Sequence, residues 1–325
     1  MDLQNMSGLF YPSQTLGGPY TDIEYIIRSQ NIISRVMHSY FGILVPLGLL
    51  AGIISLTILI KNKLKHQMLE NLDFYLLILA STEISIILYS FTSTTRPGYL
   101  ETSNLSCGVL SVFFNISYFF SQYLLLMMFF MLIIMDNSIM ANIVQNRLGC
   151  VTLTLIFSVL MSVATVSLLG TYNRLQNITY CQLDPLNAKP EYDFTKFTVG
   201  FCVPSIILLI FYILLIVQAR SADNATGNEK VQAHIVILFN VSVMFICRLF
   251  YNIMLIRRTS LKIHGLYLSP NEELVMNIAE LVVFSGSCIR LIFILALHTP
   301  CREGFKNSLQ FLRKCGRTDT SNNVI

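Results

Sequence analysis

The chain has 325 residues, of which 54% are hydrophobic and only 12% are charged. Soluble globular proteins carry roughly 25% charged residues, so this composition excludes an ordinary soluble protein and assigns most of the chain to lipid. A formal net charge of +4 is too small and too dispersed to indicate nucleic-acid binding, and we expect membrane lipid as the surrounding partner instead.

Runs of about 20 mostly apolar residues are long enough to cross the hydrocarbon core of a bilayer as helices. The chain has seven such runs, and none shows the alternating pattern of a barrel strand. They cover residues 39–60, 72–93, 107–135, 150–169, 195–218, 231–256 and 272–298. The predicted fold class is therefore an all-α membrane protein, a seven-transmembrane helix bundle. In the first run, Gly48-x-x-x-Gly52 is typical of a close contact between helices.

Glycosylation sequons indicate how the bundle is oriented. Asn5, Asn104 and Asn177 are sequon acceptors on the amino-terminal side of the membrane, and Asn224 is the acceptor on the other side. Lys and Arg are spread almost evenly over the two sides, so the positive-inside rule decides little. We therefore expect the amino terminus to be extracellular, with glycans at Asn5, Asn104 and Asn177.

The expected orientation divides the chain into an extracellular tail (residues 1–38), the bundle (39–299) and a cytoplasmic helix and tail (300–325).

Cys107 begins the third span and Cys181 lies in the fourth loop, both on the oxidising outer side, so we expect a disulfide between them.

The segment after the seventh run predicts a short amphipathic helix. Phe305, Leu309 and Leu312 share one helical face among basic residues, as in a helix that lies on the inner leaflet. Cys301 and Cys315 flank this segment and are candidates for lipidation. For both cysteines, a plain free thiol is the alternative.

Four of the spans carry recognisable short motifs. These are Leu79-Ala80-Ser81-Thr82-Glu83, Pro204 with Tyr212, Cys247, and Ser287-Cys288. Together with the seven spans, the two outer cysteines and the final helix, they resemble the rhodopsin-like (class A) G-protein-coupled receptors over residues 39–315. The resemblance implies a multi-pass plasma-membrane receptor, not an enzyme and without a cofactor, that binds an extracellular ligand and has a heterotrimeric G protein and arrestin as partners.

The chain departs from this family at its switch positions. Arg248 stands where the family has Trp, Phe250 where it has Pro, and Arg290 where it has Asn. The family's Asp-Arg-Tyr motif would fall on Met131-Leu132-Ile133, and the similar acid Asp136 comes five residues later. The chain is therefore identified as a divergent member, similar to a chemosensory or orphan receptor or to a receptor-like protein that does not signal.

Four ionisable residues lie at membrane depth, where each costs about 2.5 to 3.5 kcal/mol on insertion scales. They are Glu83, Arg248, Glu280 and Arg290. In the family, the positions of Glu83 and Arg290 lie close together around a sodium ion. The resemblance therefore implies an intramembrane ion pair in which the guanidinium replaces the ion, and no metal site.

The resemblance also implies a ligand pocket. Arg248 and Glu280 would lie at its floor and wall, and Phe114 and Tyr118 belong to an aromatic cluster in the third span that could line it. Two interpretations of Arg248 and Glu280 stay open: contact with a polar ligand, or an ion pair between the two that only fixes helix register.

Other function classes fit the sequence less well. A seven-span transporter is expected to show an internal repeat and interrupted helices, and the sequence shows neither. A membrane hydrolase would need metal ligands at membrane depth, whereas the histidines lie at span ends or in loops. Unlike an opsin, the chain has no lysine between residues 272 and 298, and unlike amine receptors it has no acid between 107 and 135. The ligand stays open.

Overall fold

The computed structural model describes residues 23–66, 71–94, 101–134, 146–169, 178–180, 188–221, 228–265 and 270–321. Within these residues, seven helices are long and apolar enough to cross a bilayer, and a further helix follows the seventh. The seven-helix bundle and the terminal helix are therefore confirmed. In chain order the spans are Ile23–Ser39 with Val45–His66, Asn71–Thr94, Asn104–Ile134, Arg147–Ser167, Pro190–Phe197 with Val203–Ser221, Asn228–Ile263 and Pro270–Leu297, and the terminal helix is Thr299–Ser321.

The first span begins well before the apolar run that starts at residue 39. Its leading helix, Ile23–Ser39, mixes apolar and polar residues, so hydropathy alone does not reveal it. A π turn, Tyr40–Leu44, joins this helix to Val45–His66. The side chain of Tyr40 is buried at this turn and donates a hydrogen bond of 2.9 Å to Ser90 Oγ on the second span.

The fifth span is also interrupted by a π turn, Thr198–Cys202. Such turns insert one extra residue into a helix and occur frequently at functional sites. The turn is fixed to the third span, because Tyr123 Oη donates a 2.8 Å hydrogen bond to the carbonyl oxygen of Val199. Gly200 allows this close approach: a Cβ there would lie 2.8 Å from Phe119 Cε1 and 2.9 Å from Tyr118 Cε1.

The third and seventh spans form the centre of the bundle. Of the 18 most apolar consecutive residues in each, 67% and 61% are buried, against 22% in the fifth span. The fifth span therefore lies at the periphery, with most of its surface toward lipid. The first span reaches this centre through its two glycines. A Cβ on Gly48 would lie 2.7 Å from Cys288 Cβ, and one on Gly52 would lie 3.0 Å from Leu291 Cδ1. The glycine motif thus serves packing within the chain.

A short antiparallel pair of strands marks one end of the bundle, which we call the hairpin end. Strand β1 (Glu101–Ser103) pairs with β2 (Ile178–Tyr180), with Glu101 opposite Tyr180. Cys107 lies in the first turns of the third span, is buried and is disulfide-bonded. Its expected partner, Cys181, directly follows β2 but lies outside the described residues. Asn5 and Asn177 also lie outside them, and Asn104 is the first residue of the third span and is half-buried.

Candidate functional site

Glu83 and Arg290 lie together in the middle of the bundle. Arg290 Nη2 is 2.5 Å from Glu83 Oε2, and both side chains are almost completely buried. The second and seventh spans are therefore joined by opposite charges in a medium where an unpaired charge is costly.

Ser121 of the third span completes this group. Its hydroxyl donates a 2.5 Å hydrogen bond to Glu83 Oε1, and it accepts a 3.2 Å hydrogen bond from Arg290 Nη1. Only one hydrogen bond joins the guanidinium directly to the carboxylate, and Ser121 provides a second connection between them. We call Glu83, Ser121 and Arg290 the charged clamp. Sequence reasoning missed Ser121 because a neutral serine in an apolar span carries no distinctive signal.

The clamp fits poorly with a bound cation. Each carboxylate oxygen of Glu83 already accepts a hydrogen bond, and a sodium ion there would meet the positive guanidinium of Arg290 at close range. Among the described residues, no group of three or more His, Cys, Asp or Glu side chains is arranged to hold a metal ion.

Arg248 of the sixth span binds the residue next to the clamp. Its guanidinium donates one hydrogen bond to Gln122 Oε1 and another, of 2.9 Å, to the carbonyl oxygen of Tyr118. It also lies over the Tyr118 ring, with 3.9 Å between Cζ and the ring centroid. Arg248 is therefore bound to the third span through these contacts. The Arg248–Glu280 pair stays a prediction, and the two hydrogen bonds of Arg248 described here go to a neutral side chain and a carbonyl oxygen.

A buried lysine, which sequence reasoning missed, lies between the clamp and the hairpin end. Lys196 of the fifth span is 0% exposed, and its Nζ donates a 3.1 Å hydrogen bond to the hydroxyl of Tyr251. Four aromatic rings surround this ammonium group, a set that we call the aromatic cage. Nζ lies 5.2 Å from the ring centroid of Phe114, 5.3 Å from Tyr118, 5.9 Å from Tyr192 and 5.4 Å from Tyr251.

Two asparagines hold rings of the cage in place. Asn115 Nδ2 donates a 3.1 Å hydrogen bond to the hydroxyl of Tyr192, and Asn252 Nδ2 donates one of 3.2 Å to the hydroxyl of Tyr118. Both asparagines are completely buried. Since each hydroxyl is hydrogen-bonded from another helix, the positions of both rings are fixed within the bundle.

Asp193 lies beside Lys196 on the same helix but has other partners. Its Oδ2 accepts hydrogen bonds from Thr259 Oγ1 at 2.9 Å and from Lys262 Nζ at 3.1 Å, both on the sixth span. Asp193 is fully buried, whereas the side chain of Lys262 is 16% exposed. The fifth and sixth spans are thus joined by an ion pair near the hairpin end.

The four residues that sequence reasoning placed in a ligand pocket are all in the interior. Phe114, Tyr118, Arg248 and Glu280 are each at most 3% exposed. The structure brings Phe114 and Tyr118 together around Lys196 and places Arg248 on the Tyr118 ring. The space beside the Phe114 and Tyr118 rings is therefore occupied by the lysine.

A third polar group joins the second span to the terminal helix at the end opposite the hairpin. His298 Nε2 lies 2.9 Å from Asp73 Oδ1, and His298 Nδ1 lies 3.3 Å from the sulfur of Cys301. Cys301 is 0% exposed, and burial, assisted by the negative charge of Asp73, raises the pKa of its thiol to about 12. A thiol that is neither exposed nor ionised is a poor acceptor for an acyl chain, which argues against lipidation of Cys301. The side chain of Cys315 lies outside the described residues.

Tyr212 and the residues at the expected Asp-Arg-Tyr position place no polar group in the interior. Tyr212 is 44% exposed and points away from the bundle, so it has no inward role in this structure. Met131 and Ile133, which stand at the expected Asp-Arg-Tyr position, are buried apolar residues, and Asp136 lies outside the described residues.

Comparison with known proteins gives a match to a protein family. The family model described as 7 transmembrane receptor (rhodopsin family) matches residues 27–290, which is most of the chain. No curated protein matches the chain. The matched segment includes the aromatic cage and ends at Arg290 of the charged clamp.

The clamp predicts a non-additive double mutant. Glu83→Gln and Arg290→Gln should each lower stability by about 3 to 5 kcal/mol, because each leaves the other charge buried alone, and the double variant should recover much of that loss. Melting temperatures of the detergent-solubilised protein measure this, and varying sodium should leave the unmutated protein unchanged.

Arg257 and Glu272 provide the matched control for this cycle. They form an Arg–Glu contact of 2.9 Å between the sixth and seventh spans, but the Arg257 side chain is 62% exposed. Their variants should cost below about 1 kcal/mol. Strictly additive losses at Glu83 and Arg290, or sodium-dependent stability, would contradict the pairing.

The burial of Cys301 predicts that an acyl chain, if the terminal helix carries one, is attached to Cys315 and not to Cys301. Acyl-exchange labelling of the protein from cells should be retained in Cys301→Ser and lost in Cys315→Ser, because the Cys301 thiol is enclosed. Label that disappears in Cys301→Ser at normal surface expression would show that the thiol becomes accessible.

Proposed function

The chain belongs to the rhodopsin family of seven-transmembrane receptors, and from this membership we propose that it is a cell-surface receptor that binds an extracellular ligand and signals to a heterotrimeric G protein and to arrestin. Members of this family are receptors and not enzymes. The observation that carries the proposal is the family match over residues 27–290, which is most of the bundle. Membership also favours a receptor over a seven-span transporter.

We further propose that the hairpin end is extracellular and that the bundle lies in the plasma membrane. Two observations support this orientation. Cys107 at the hairpin end is disulfide-bonded, and disulfides persist in oxidising compartments. The sequons at Asn5, Asn104 and Asn177 all belong to segments on the same side. Cys181 is then the proposed partner of Cys107, since it directly follows β2 at that end.

The ligand site is proposed at the hairpin end, above the charged clamp. Polar side chains from the third, fifth and sixth spans converge there, and a ligand needs a few such groups to fix its orientation. Asn115, Asp193 and Asn252 each keep one buried oxygen atom without a hydrogen-bond partner among the described residues. These acceptors favour a ligand that presents hydrogen-bond donors.

A receptor-like protein that does not signal is the second candidate. The observation that favours it is the closed centre: the second, sixth and seventh spans are all hydrogen-bonded to Ser121 or Gln122 on the third. A receptor that signals must be able to change the relative positions of its helices, and each of these hydrogen bonds opposes such a movement.

Orientation is tested by mapping the glycans. We expect endoglycosidase treatment to shift the mobility of the protein, and substitution of Asn5, Asn104 and Asn177 by Gln to abolish that shift, because the glycan machinery acts on the outer side only. Asn224→Gln is the matched control and should change nothing. A glycan at Asn224 would invert the topology.

Signalling is tested by weakening the clamp without removing a charge. Ser121→Ala should raise ligand-free recruitment of tethered G-protein reporters several-fold, because the serine bond that joins the third span to Glu83 and Arg290 is lost. Ser111→Ala is the control, since Ser111 is buried on the same span and its hydroxyl has no hydrogen-bond partner among the described residues. Silence of both variants with every G-protein and arrestin reporter, at normal surface expression, would favour the non-signalling candidate.

A further inference from the structure

The aromatic cage has the composition of a cation-binding site. An ammonium group over an aromatic face is attracted by the ring quadrupole, and cages of several rings are the usual means by which proteins recognise alkylated ammonium ligands. Here four rings contact one ammonium group at 5.2 to 5.9 Å between Nζ and the ring centroids. The cation belongs to the chain itself.

The rings come from three different helices. Phe114 and Tyr118 lie on the third span, Tyr192 on the fifth and Tyr251 on the sixth. Lys196 reaches them from one turn beyond Tyr192, two residues before the π turn that interrupts the fifth span. Whatever occupies the cage therefore joins these three spans.

The cage is arranged for a primary ammonium group in particular. The hydroxyl of Tyr251 accepts a hydrogen bond from Nζ, so one N–H is directed at an oxygen while the rings face the remaining charge. The hydroxyls of Tyr118 and Tyr192 are held by Asn252 and Asn115. Rings fixed in this way form a cavity whose shape does not depend on Lys196 alone.

We infer that the aromatic cage is a binding site for a primary alkylammonium group and that the side chain of Lys196 is its resident occupant, an internal ligand that joins the third, fifth and sixth spans. A diffusible ligand at the hairpin end must then bind above this lysine or displace it. This inference concerns binding and does not rest on the proposed signalling.

Chemical complementation tests the inference on the full-length protein. Lys196→Ala removes the atoms from Cγ to Nζ, which is the n-propylammonium fragment. This variant should lose roughly 5 °C in melting temperature. We obtain this value from the free energy of a desolvated cation–π contact and from the change in melting temperature that a given loss of stability causes. Millimolar n-propylammonium chloride should restore most of the loss, whereas n-propanol, which has the same length but no charge, should not.

Lys262→Ala is the matched control for this rescue. Lys262 is likewise a lysine near the hairpin end and binds Asp193, but its side chain is partly exposed and its ammonium contacts a carboxylate in place of the rings. n-Propylammonium should not stabilise Lys262→Ala or the unmutated protein beyond a sodium chloride control. Equal rescue by n-propanol, rescue of Lys262→Ala, or no rescue of Lys196→Ala would each overturn the inference.

A double-mutant cycle keeps the inference testable should Lys196→Ala fail to fold. Lys196→Met keeps the volume of the side chain and removes its charge. Phe114→Leu removes one ring of the cage. It also removes the ring contacts of Phe114 with Tyr89 and Phe284, and this second loss is the same in both backgrounds because it does not involve Lys196. The loss in melting temperature caused by Phe114→Leu should be at least about twofold smaller in the Lys196→Met background. Equal losses in the two backgrounds would overturn the inference.

Discussion

Charge in a low-dielectric interior must be compensated, and this requirement organises the middle of the bundle. Arg290 is almost completely buried, and Glu83 on the second span lies close enough to compensate it. Ser121 then gives each partner a further hydrogen bond, so the pair is also bound to the third span. Three of the seven helices thus have their relative positions fixed at one depth by a single carboxylate and its partners.

The third span contacts the charged clamp, the guanidinium of Arg248 and the aromatic cage. Phe114 and Tyr118 contribute two rings to the aromatic cage, and Ser121 and Gln122 bind the clamp and Arg248. These residues recur at three- and four-residue spacing, so they lie along one side of the helix and face the other spans. The span is also the most buried of the seven, which is why its polar residues have protein partners and not lipid.

Hydropathy predicts the spans because a bilayer demands about 20 apolar residues per crossing, and opposite charges at membrane depth point to Glu83 and Arg290. The contacts of Lys196 and Gln122 cannot be predicted from hydropathy or from pairs of opposite charges. Lys196 stands at the edge of an apolar run, where a lysine ordinarily reaches water, and only the fold reveals the four rings around it. Gln122 is neutral, so nothing in the sequence identifies it as the partner of Arg248. Helical phase alone does not tell which aromatics of a span face inward.

Tyr118 connects the aromatic cage to the level of the charged clamp. Its ring contacts Lys196 and Arg248, its hydroxyl accepts from Asn252, and its carbonyl oxygen accepts from Arg248. Asn252 lies one turn after Arg248 on the sixth span, and the cage residue Tyr251 lies directly before Asn252. A displacement of the sixth span from the third must therefore break the bonds of Arg248 and remove one wall of the cage in the same movement. The occupancy of the cage and the position of the sixth span are linked through this contact, and a molecule that alters one must act on the other.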